Sequence, residues 1–445
     1  MNIRLLVSSE MAASGSEPSR QKVKQLEDFV KYTSESVDIK NRYPCEQLDK
    51  HASYVKKLVE TINEKNGEYN PVFKSRVEPC GSYSDNLKIM EPDEFDFKMV
   101  MDLSKQPGIN VTDVEPECGY KAWGYGYVIV GPEVETLDLP TTVNSRDEYS
   151  KQVRLSNEFI SINVKQAVIR SLEHIENVNF IGERKLDDPE ECTRIYNPGE
   201  ISIHTDPKRN NHTPGHGPSI WLRVGTELCT TDIDLCFCIE KLQKSPSTSE
   251  SRKFLIYTDD TMAGCCGTFA HWLESVIDPP GDRVMQLNVK HRQLLLTLKY
   301  IVNLMRECWS GDLNNTLYYN MSSYFLKTVL VHHEKTCQAR NVGECFENVI
   351  EMFCEWDTNS NTFHIGDVTY VRDIHYNRNL KARQLVVIGV VWFFQQIRHS
   401  PTHSALWRSI LDSDASKEEF LIRFREQCHF KALKDGATKM GLKLW

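Results

Sequence analysis

The chain has 445 residues, enough to bury a large core and to form two domains or one bilobal unit. Its formal net charge of -9 excludes a globally basic surface, so a binding site for a polyanion has to be a local patch. The fourteen cysteines occur without a recognisable secretory signal, and the longest apolar run, at 385–394, is too short to cross a membrane. We therefore expect a cytoplasmic protein, which can also be nuclear, with reduced thiols and no membrane partner.

The amino-terminal half combines predicted helices and strands. Residues 1–19 are rich in serine and alanine without periodicity and are expected to be disordered. Apolar residues recur at helical spacing from Cys45 to Asn66, which predicts a long helix. The exposed faces of this helix carry Lys50, Lys56 and Lys57. Residues 94–101 alternate between polar and apolar, which predicts a strand, and a loop is expected at 205–219.

The carboxy-terminal half is predominantly helical in its pattern. Residues 244–253 are rich in serine and are expected to form a linker or surface loop. We therefore predict one domain at 20–250 and a helical one at 251–445. Helices are predicted at 290–306, 322–334, 343–355, 378–396 and 417–427.

Two acids occur inside the predicted strand at 94–101. Glu94 and Asp96 are two residues apart, so both side chains point to one face of the strand. Adjacent carboxylates repel each other, and a divalent cation that prefers oxygen ligands removes this conflict. A strand that faces water accommodates such a pair without an ion, and for the two acids alone this alternative stays open. Asp234, in a later predicted strand with apolar residues on its opposite face, provides a third acid.

A Gly-Ser pair precedes the acids. Gly81 and Ser82 lie in a predicted turn, where backbone amides and the serine hydroxyl can hold a phosphate tail. A Gly-Ser turn, an acid pair on a strand and a third acid on a later strand are, in this order, typical of nucleotidyltransferases. There, two metal ions orient the attacking hydroxyl and neutralise the triphosphate. This predicts two Mg²⁺ or Mn²⁺ ions held by the metal ligands and catalytic residues Glu94, Asp96 and Asp234.

Five segments of the chain carry a closer resemblance. Residues 81–101 are similar to the Gly-Ser-Tyr to Glu-Phe-Asp segment of the cyclic GMP-AMP synthase-like receptors, which belong to the male-abnormal family of nucleotidyltransferases. Residues 217–240 resemble the third-acid strands of that family. Residues 291–304 resemble its helix with a nucleotide-contacting lysine, which matches Lys299. The two helices that follow are also similar, and they match Ser323 and Tyr324 to a Ser-Tyr pair whose tyrosine stacks on a nucleobase.

The resemblance implies an α+β fold: a bilobal nucleotidyltransferase with a mixed twisted sheet and a long N-terminal helix packed beside a C-terminal helical lobe. It also implies a nucleic-acid-activated enzyme of innate immunity. Such an enzyme joins two NTPs, ATP and GTP among them, into a cyclic dinucleotide that a STING-type receptor reads. A catalytically silent nucleotide-binding or scaffold member of the family and a synthase of linear oligonucleotides are the alternatives.

Zinc distinguishes branches of this family. The vertebrate DNA sensor carries a His-Cys-Cys-Cys zinc insertion before its lysine-bearing helix, and the stretch from Trp272 to Lys299 is too short for it. Other thiols and imidazoles occur at spacings that do not match that insertion, so we expect no structural zinc. These residues are Cys265, Cys266, His271, His332, His333, Cys337 and Cys345.

Without that insertion, the chain resembles the zinc-free invertebrate receptors of the family, many of which respond to double-stranded RNA. RNA is therefore favoured over DNA as the activator, and a ligand-induced oligomer is compatible with this interpretation. Lys50, Lys56 and Lys57 are the candidate nucleic-acid contacts. An ordinary solvated helix face with interspersed acids is the alternative for these lysines.

Overall fold

The computed structural model describes most of residues 17–371 and, beyond them, residues 411, 413 and 418. Its gaps are at 115–124, 138, 140, 144–152, 157, 186–187, 189, 192–193, 206–218, 245–250, 259–269, 275–286, 310–322, 356–361 and 366–367. The described residues form a mixed α+β structure. The chain divides into two compact units, each with its own internal contacts. The sheet unit is Tyr43–Asn86 with Glu91–Val284, and the helical unit is Met1–Arg42, Leu87–Met90 and Met285–Trp445.

The sheet unit is built on one sheet with twelve strands in the described part of the chain. The strands are β1 (Ser75–Cys80), β2 (Glu94–Met101), β3 (Ile109–Asp113), β4 (Tyr125–Val130), β5 (Thr141–Val143), β6 (Val153–Leu155), β7 (Asn179–Lys185), β8 (Glu200–Thr205), β9 (Ser219–Gly225), β10 (Thr230–Lys244), β11 (Ser251–Thr258) and β12 (Trp272–Glu274). The described part of the helical unit has five helices, two before these strands in sequence and three after them. Within the sheet unit lie helices at Cys45–Tyr69, Gly81–Ser84 and Lys165–Leu172, the last preceded by a π-helical turn at Phe159–Val164.

The long strand β10 organises the sheet. It pairs antiparallel with β9 along its first half and with β11 along its second half, and it pairs in parallel with β2. β2 in turn pairs antiparallel with β1. Because parallel and antiparallel neighbours occur together, the sheet is mixed, as the sequence analysis expects.

The central strands have one apolar and one polar face. Phe95 and Phe97 of β2 and Ile233 and Leu235 of β10 are buried on one face in a common core. The alternation predicted from the sequence is therefore confirmed, and the acids point to the opposite face. This arrangement places carboxylates on a rigid support whose other side is held by hydrophobic packing.

The long helix predicted from Cys45 is confirmed and extends to Tyr69. Its buried apolar residues follow the predicted spacing, and all of them except Leu48 join the same core as the apolar face of the sheet. They are Leu48, Val55, Leu58, Val59 and Ile62. At the carboxyl end the side chain of Asn70 accepts a hydrogen bond from the Val72 amide, which starts a 3₁₀ turn at Pro71–Phe73.

The helical unit contains five helices in its described part. They are α1 (Glu17–Val37), α2 (Ile39–Arg42), α6 (Val289–Trp309), α7 (Ser323–Thr336) and α8 (Val342–Glu355). The helices of the sheet unit, in chain order, are α3 (Cys45–Tyr69), α4 (Gly81–Ser84) and α5 (Lys165–Leu172). A hairpin of β13 (Thr362–Ile365) and β14 (Val368–Val371) follows. Helix α6 is buried along much of its described length and packs against α1, α7 and α8, which explains the apolar residues that dominate its middle turns.

The predicted helices at 290–306, 322–334 and 343–355 correspond to α6, α7 and α8. Those predicted at 378–396 and 417–427 lie outside the described residues, apart from Glu418. The same holds for most of the loop predicted at 205–219. Among the helices that the structure describes, none combines the length and the apolar character needed to cross a membrane.

The division of the chain differs from the predicted boundary at residue 250. It falls at Val284 and Met285, and the amino-terminal helix belongs to the helical unit. The serine-rich segment after Gln243 connects β10 to β11, which pairs back onto β10 and so stays in the sheet unit. At the amino terminus helix α1 begins at Glu17, inside the segment expected to be disordered, and residues 1–16 lie outside the described residues.

Candidate metal centre

The acids of β2 are presented together by the strand itself. Glu94 and Asp96 are half-buried, whereas the intervening Phe95 and the following Phe97 are 5% and 2% exposed. Because side chains alternate along a strand, burial of the two phenylalanines directs both carboxylates to the other face. The pair predicted from the sequence is therefore held in one orientation by the core.

The parallel pairing of β2 with β10 brings the third acid to the first two. Asp234 is the register partner of Asp96, and both side chains point to the same face. Carboxylate oxygens of Glu94, Asp96 and Asp234 lie within 4.8 Å of one another. Asp234 is 8% exposed, so one acid of the cluster is largely removed from bulk water. The structure thus brings the three predicted metal ligands into one acidic cluster.

A fourth acid on the same face has a different partner. Asp232 is the register partner of Glu94, but the guanidinium group of Arg223 on β9 donates to both of its carboxylate oxygens, at 2.7 and 3.1 Å. The Asp232 amide also donates to the carbonyl of Asp93 at 2.7 Å, which joins the start of β2 to β10. Burial raises the pKa of the Asp232 carboxyl, and the Arg223 charge opposes this shift. Asp232 is therefore ion-paired with Arg223 and has a structural role beside the acidic cluster.

Gly81 is required by the position of Asp96. Its φ is +73°, and a Cβ added there would lie 1.7 Å from Oδ2 of Asp96. Only glycine leaves this volume to the carboxylate and adopts this conformation without strain. Ser82 follows in the short helix α4, directly after β1. The structure therefore places the predicted Gly-Ser pair beside the acidic cluster.

Two residues of the sheet unit that the sequence analysis did not single out fix the surroundings of the acids. Tyr83 packs its ring on Phe95 with a centroid separation of 4.1 Å, and its hydroxyl donates to the carbonyl of Leu48 at 3.1 Å. His51 is buried in the same helix α3 and donates through Nε2 to the carbonyl of Pro92 at 2.9 Å. Helix α3 is thereby bonded both to the turn that contains Gly81 and to the segment that leads into Glu94.

The cluster creates a negative local field. Burial raises the pKa of the Cys236 thiol well above its usual value, and the charges of Asp234 and Asp96 add to this effect. A set of clustered carboxylates with little exposed surface suits a hard divalent cation, because oxygen ligands are those that Mg²⁺ and Mn²⁺ prefer. The donor set therefore fits the predicted metal ions.

The predicted nucleotide contacts outside the sheet unit belong to the helical unit. Lys299 of α6 is 7% exposed, and its ammonium group donates to the carbonyl of Leu87 at 2.6 Å. Ser323 is exposed at the start of α7. Tyr324 follows it in the helix, and the side chain of Tyr324 lies outside the described residues. All three residues belong to the helical unit, and they remain predicted nucleotide contacts.

The predicted nucleic-acid contacts are exposed on α3 but are accompanied by acids. Lys50 forms an ion pair of 2.5 Å with Glu227, and Lys56 lies 3.8 Å from Glu60. Helix α3 as a whole carries five acidic and four basic residues. Because nearby carboxylates reduce the positive potential, the lysines at 50, 56 and 57 do not by themselves make a strongly basic surface.

No protein-family model matches this chain.

Proposed function

We propose that the protein is a metal-dependent nucleotidyltransferase that transfers a nucleotidyl group from an NTP to a hydroxyl group. The observation that carries this proposal is the parallel pairing of β2 with β10, which gathers Glu94, Asp96 and Asp234 into a cluster within 4.8 Å. In this proposal the sheet unit is the core lobe of a bilobal nucleotidyltransferase fold and the helical unit is its second lobe.

The three carboxylates would hold two Mg²⁺ or Mn²⁺ ions. When bound, these ions supply charge neutralisation for the triphosphate and lower the pKa of the attacking hydroxyl. The protein contributes the fixed geometry. Phe95 and Phe97 anchor β2 in the core, and Gly81 leaves the space that Asp96 occupies. Such preorganisation reduces the rearrangement needed at the moment of reaction.

The Gly-Ser turn is proposed to bind the triphosphate. The hydroxyl of Ser82 and backbone amides of the turn would donate to phosphate oxygens. The hydroxyl oxygen of the acceptor attacks the α-phosphorus, and the bond from that phosphorus to the bridging oxygen breaks. Pyrophosphate leaves with this oxygen, and the proton of the acceptor hydroxyl passes to a carboxylate or to solvent. Lys299, Ser323 and Tyr324 remain proposed contacts to the nucleotides.

We further propose, from the sequence resemblance, that the product is a cyclic dinucleotide and that a nucleic acid activates its synthesis. The hydrogen bonds from Tyr83 to Leu48 and from His51 to Pro92 support the second part of this proposal, activation through α3, because they tie α3 to both segments that bear site residues. A polymer that displaces α3 would therefore act directly on the turn and on the start of β2. Double-stranded RNA stays the favoured activator, and a STING-type receptor stays the proposed reader of the product.

The proposal is tested with purified protein, labelled NTPs, Mg²⁺ or Mn²⁺, and either double-stranded RNA or DNA of several lengths. The expected result is a product that resists phosphatase, forms only with one polymer and is absent with a Glu94→Gln/Asp96→Asn double variant. A product that phosphatase degrades, with an oligonucleotide ladder, would instead indicate a linear synthase. Nucleotide binding without any pyrophosphate release under all conditions would overturn the proposal in favour of a silent binding protein.

A further inference from the structure

Four side chains with nitrogen or sulfur donors meet in the helical unit. His291 lies in the first turn of α6, His333 in the last turn of α7, Cys337 just after α7 and Cys345 in the first turn of α8. One donor atom from each lies within 4.8 Å of every other. His291 and Cys345 are 1% and 0% exposed, and His333 is 6% exposed. The four residues are called the His/Cys cluster below.

The distances inside the His/Cys cluster match the edges of a coordination tetrahedron. The sulfur atoms of Cys337 and Cys345 are 3.9 Å apart, and Sγ of Cys345 is 3.3 Å from Nε2 of His333. Tetrahedral zinc with ordinary bond lengths separates two sulfurs by about 3.8 Å and a sulfur from a nitrogen by about 3.6 Å. A disulfide requires sulfurs about 2.05 Å apart, so the two thiols are not bonded to each other.

His291 is oriented as metal-binding histidines are. Its Nδ1 lies 2.9 Å from the side-chain oxygen of Asn288, and because this oxygen only accepts, Nδ1 is the donor. In the neutral ring the lone pair is then on Nε2. That atom is buried and has no hydrogen-bond partner among the described residues. A hydrogen bond at one ring nitrogen that directs the other toward a metal is the usual outer-shell arrangement at protein zinc sites.

A positively charged side chain lies beside one sulfur of the His/Cys cluster. The ammonium group of Lys290 lies 3.4 Å from Sγ of Cys337 and is fixed by a 2.7 Å hydrogen bond to the carbonyl of Ala339. A cation donating to a coordinated thiolate reduces the charge on the sulfur and orients it. Lys290 is therefore placed to donate to the sulfur of Cys337 when that sulfur coordinates a metal.

We propose that His291, His333, Cys337 and Cys345 bind a structural Zn²⁺ ion. Two imidazoles and two thiolates are the donor set that selects zinc among common divalent ions, and four protein ligands leave no open position for catalysis. On binding, both thiols lose their protons to the solvent. The ion joins the start of α6, the end of α7 and the start of α8. It therefore acts on the helix that carries Lys299 roughly two turns further along.

This site differs from the zinc insertion considered in the sequence analysis. That insertion precedes the lysine-bearing helix, whereas three of the four donors here follow it in sequence and the fourth lies within it. The expectation of no structural zinc rested on the missing insertion, and the His/Cys cluster argues against it. The proposal does not depend on nucleotidyl transfer, because none of its four ligands is among the proposed catalytic or nucleotide-binding residues.

The test is the metal content of the full chain, purified without a metal-chelating tag and measured by elemental mass spectrometry. The expected result is one zinc per chain in the wild-type protein and in Cys45→Ser, which replaces an exposed thiol outside the cluster. The Cys337→Ser/Cys345→Ser double variant is expected to lose at least about 90% of the zinc, because two of four ligands are removed. Its melting temperature is expected to fall by roughly 5–10 °C.

A second measurement keeps the proposal testable if the double variant does not fold. Wild-type protein stripped of zinc and loaded with Co²⁺ should show a thiolate-to-cobalt charge-transfer band and the visible bands of a tetrahedral ion. The proposal is overturned if the wild-type protein contains no stoichiometric zinc and gives no such spectrum. Equal zinc in the wild-type protein and a folded double variant, or a disulfide between Cys337 and Cys345 found by mass spectrometry, would also overturn it.

Discussion

Gly81 and Asp96 occupy adjoining space. The carboxylate of Asp96 fills the volume that a side chain at position 81 would need. A Cβ at position 81 would approach Oδ2 of Asp96 to 1.7 Å, so the carboxylate has to move if glycine is replaced. The φ of +73° adds a backbone penalty of about 1 kcal/mol for a residue with a side chain. The glycine thus acts on the acidic cluster through volume rather than through a hydrogen bond.

Replacing Gly81 should therefore impair the proposed chemistry more than it impairs folding. We expect Gly81→Ala to lower the rate of nucleotidyl transfer by about 100-fold, since a displacement of about 1 Å in a catalytic group has effects of this size. The rate is measured by pyrophosphate release, and stability is measured by denaturant unfolding. Gly182→Ala is the matched control, because Gly182 has a φ of +91° but a Cβ there meets nothing within 4 Å.

The control should lose about 1 kcal/mol of stability while the rate of transfer stays within about twofold of wild type. Similar losses of rate in both variants would contradict the role assigned to the space beside Asp96. Full activity of Gly81→Ala would contradict it as well.

The acids illustrate how far single residues can be understood from the sequence. Period-two alternation predicts that Glu94 and Asp96 share a face, and the structure confirms it. Asp232 follows the same alternation two residues before Asp234, and nothing local distinguishes the two acids. The difference comes from Arg223 on the neighbouring strand, a cross-strand contact that the local pattern does not contain.

At the scale of elements, three neighbouring strands place one polar or aromatic side chain each at paired positions of the sheet. His204 of β8 is paired with Trp221 of β9, which is paired with Asp234 of β10. The rings of His204 and Trp221 are 5.0 Å apart. Beyond them the hydroxyl of Tyr196 lies 3.2 Å from Nε2 of His204. Trp221 therefore lies between the buried imidazole of His204 and the strand that bears Asp234.

This imidazole stays neutral in the folded protein. Burial lowers the pKa of His204 to about 3, and the positive charges of Arg223 and Arg184 contribute in the same direction. Glu191 lies 3.5 Å from Nε2 and favours the protonated ring, but burial and the two arginines outweigh it. In the unfolded chain the same ring has a pKa of about 6.5.

The shift makes the free energy of unfolding depend on pH. Below pH 6.5 the unfolded chain binds a proton at His204 and the folded protein does not until about pH 3, so stability falls as the pH decreases through this window. From pH 7 to pH 5 the contribution of His204 is about 2 kcal/mol. Denaturant unfolding of wild type and His204→Gln at both pH values isolates this contribution, because the other histidines are common to both proteins.

We expect the variant to be less stable at pH 7, and its stability should decrease by about 2 kcal/mol less than that of wild type on going to pH 5. Equal decreases in the two proteins would show that His204 is not kept neutral by its surroundings.

For helix α3, periodicity predicts which face is buried but not which partners the buried polar groups bind. The spacing of Leu48, Val55 and Ile62 predicts a helix with one buried face, and the structure confirms it. His51 occupies the same face, where the sequence gives no indication of its partner. Its hydrogen bond to Pro92 and that of Tyr83 to Leu48 depend on packing between distant segments, so they become visible only in the folded chain.

At the scale of the whole molecule, the units are assembled from discontinuous segments. The short segment Leu87–Met90 belongs to the helical unit, where the Met90 amide donates to the carbonyl of Val37 at 2.8 Å and Leu87 accepts from Lys299. A pattern read along the chain predicts an α/β half and a helical half. It does not predict that these four residues belong to the helical unit, because their assignment depends on contacts with residues distant in sequence.

The His/Cys cluster also depends on contacts between residues that are distant in sequence. His333, Cys337 and Cys345 are close in sequence, but His291 is contributed by an earlier helix. Spacing along the chain therefore does not match a familiar zinc motif, and the donor set is completed by helix packing. Long-range geometry, rather than local composition, accounts for both the acidic cluster of the sheet unit and this second cluster.

Asp234 offers the most direct test of the account, because only the pairing of β10 with β2 brings it to Glu94 and Asp96. The measurement is pyrophosphate release from NTPs with Mg²⁺ or Mn²⁺ and with double-stranded RNA or DNA, for wild type, Asp234→Asn and Asp102→Asn. Asp102 is the matched control, since it directly follows β2 and forms an ion pair with Lys105 away from the cluster.

We expect pyrophosphate release by wild type, a rate within about twofold for the Asp102→Asn control, and a loss of at least about 100-fold for Asp234→Asn. An Asp234→Asn protein with the wild-type rate would contradict the metal centre. A wild-type protein that releases no pyrophosphate from any NTP with either polymer would contradict nucleotidyl transfer itself.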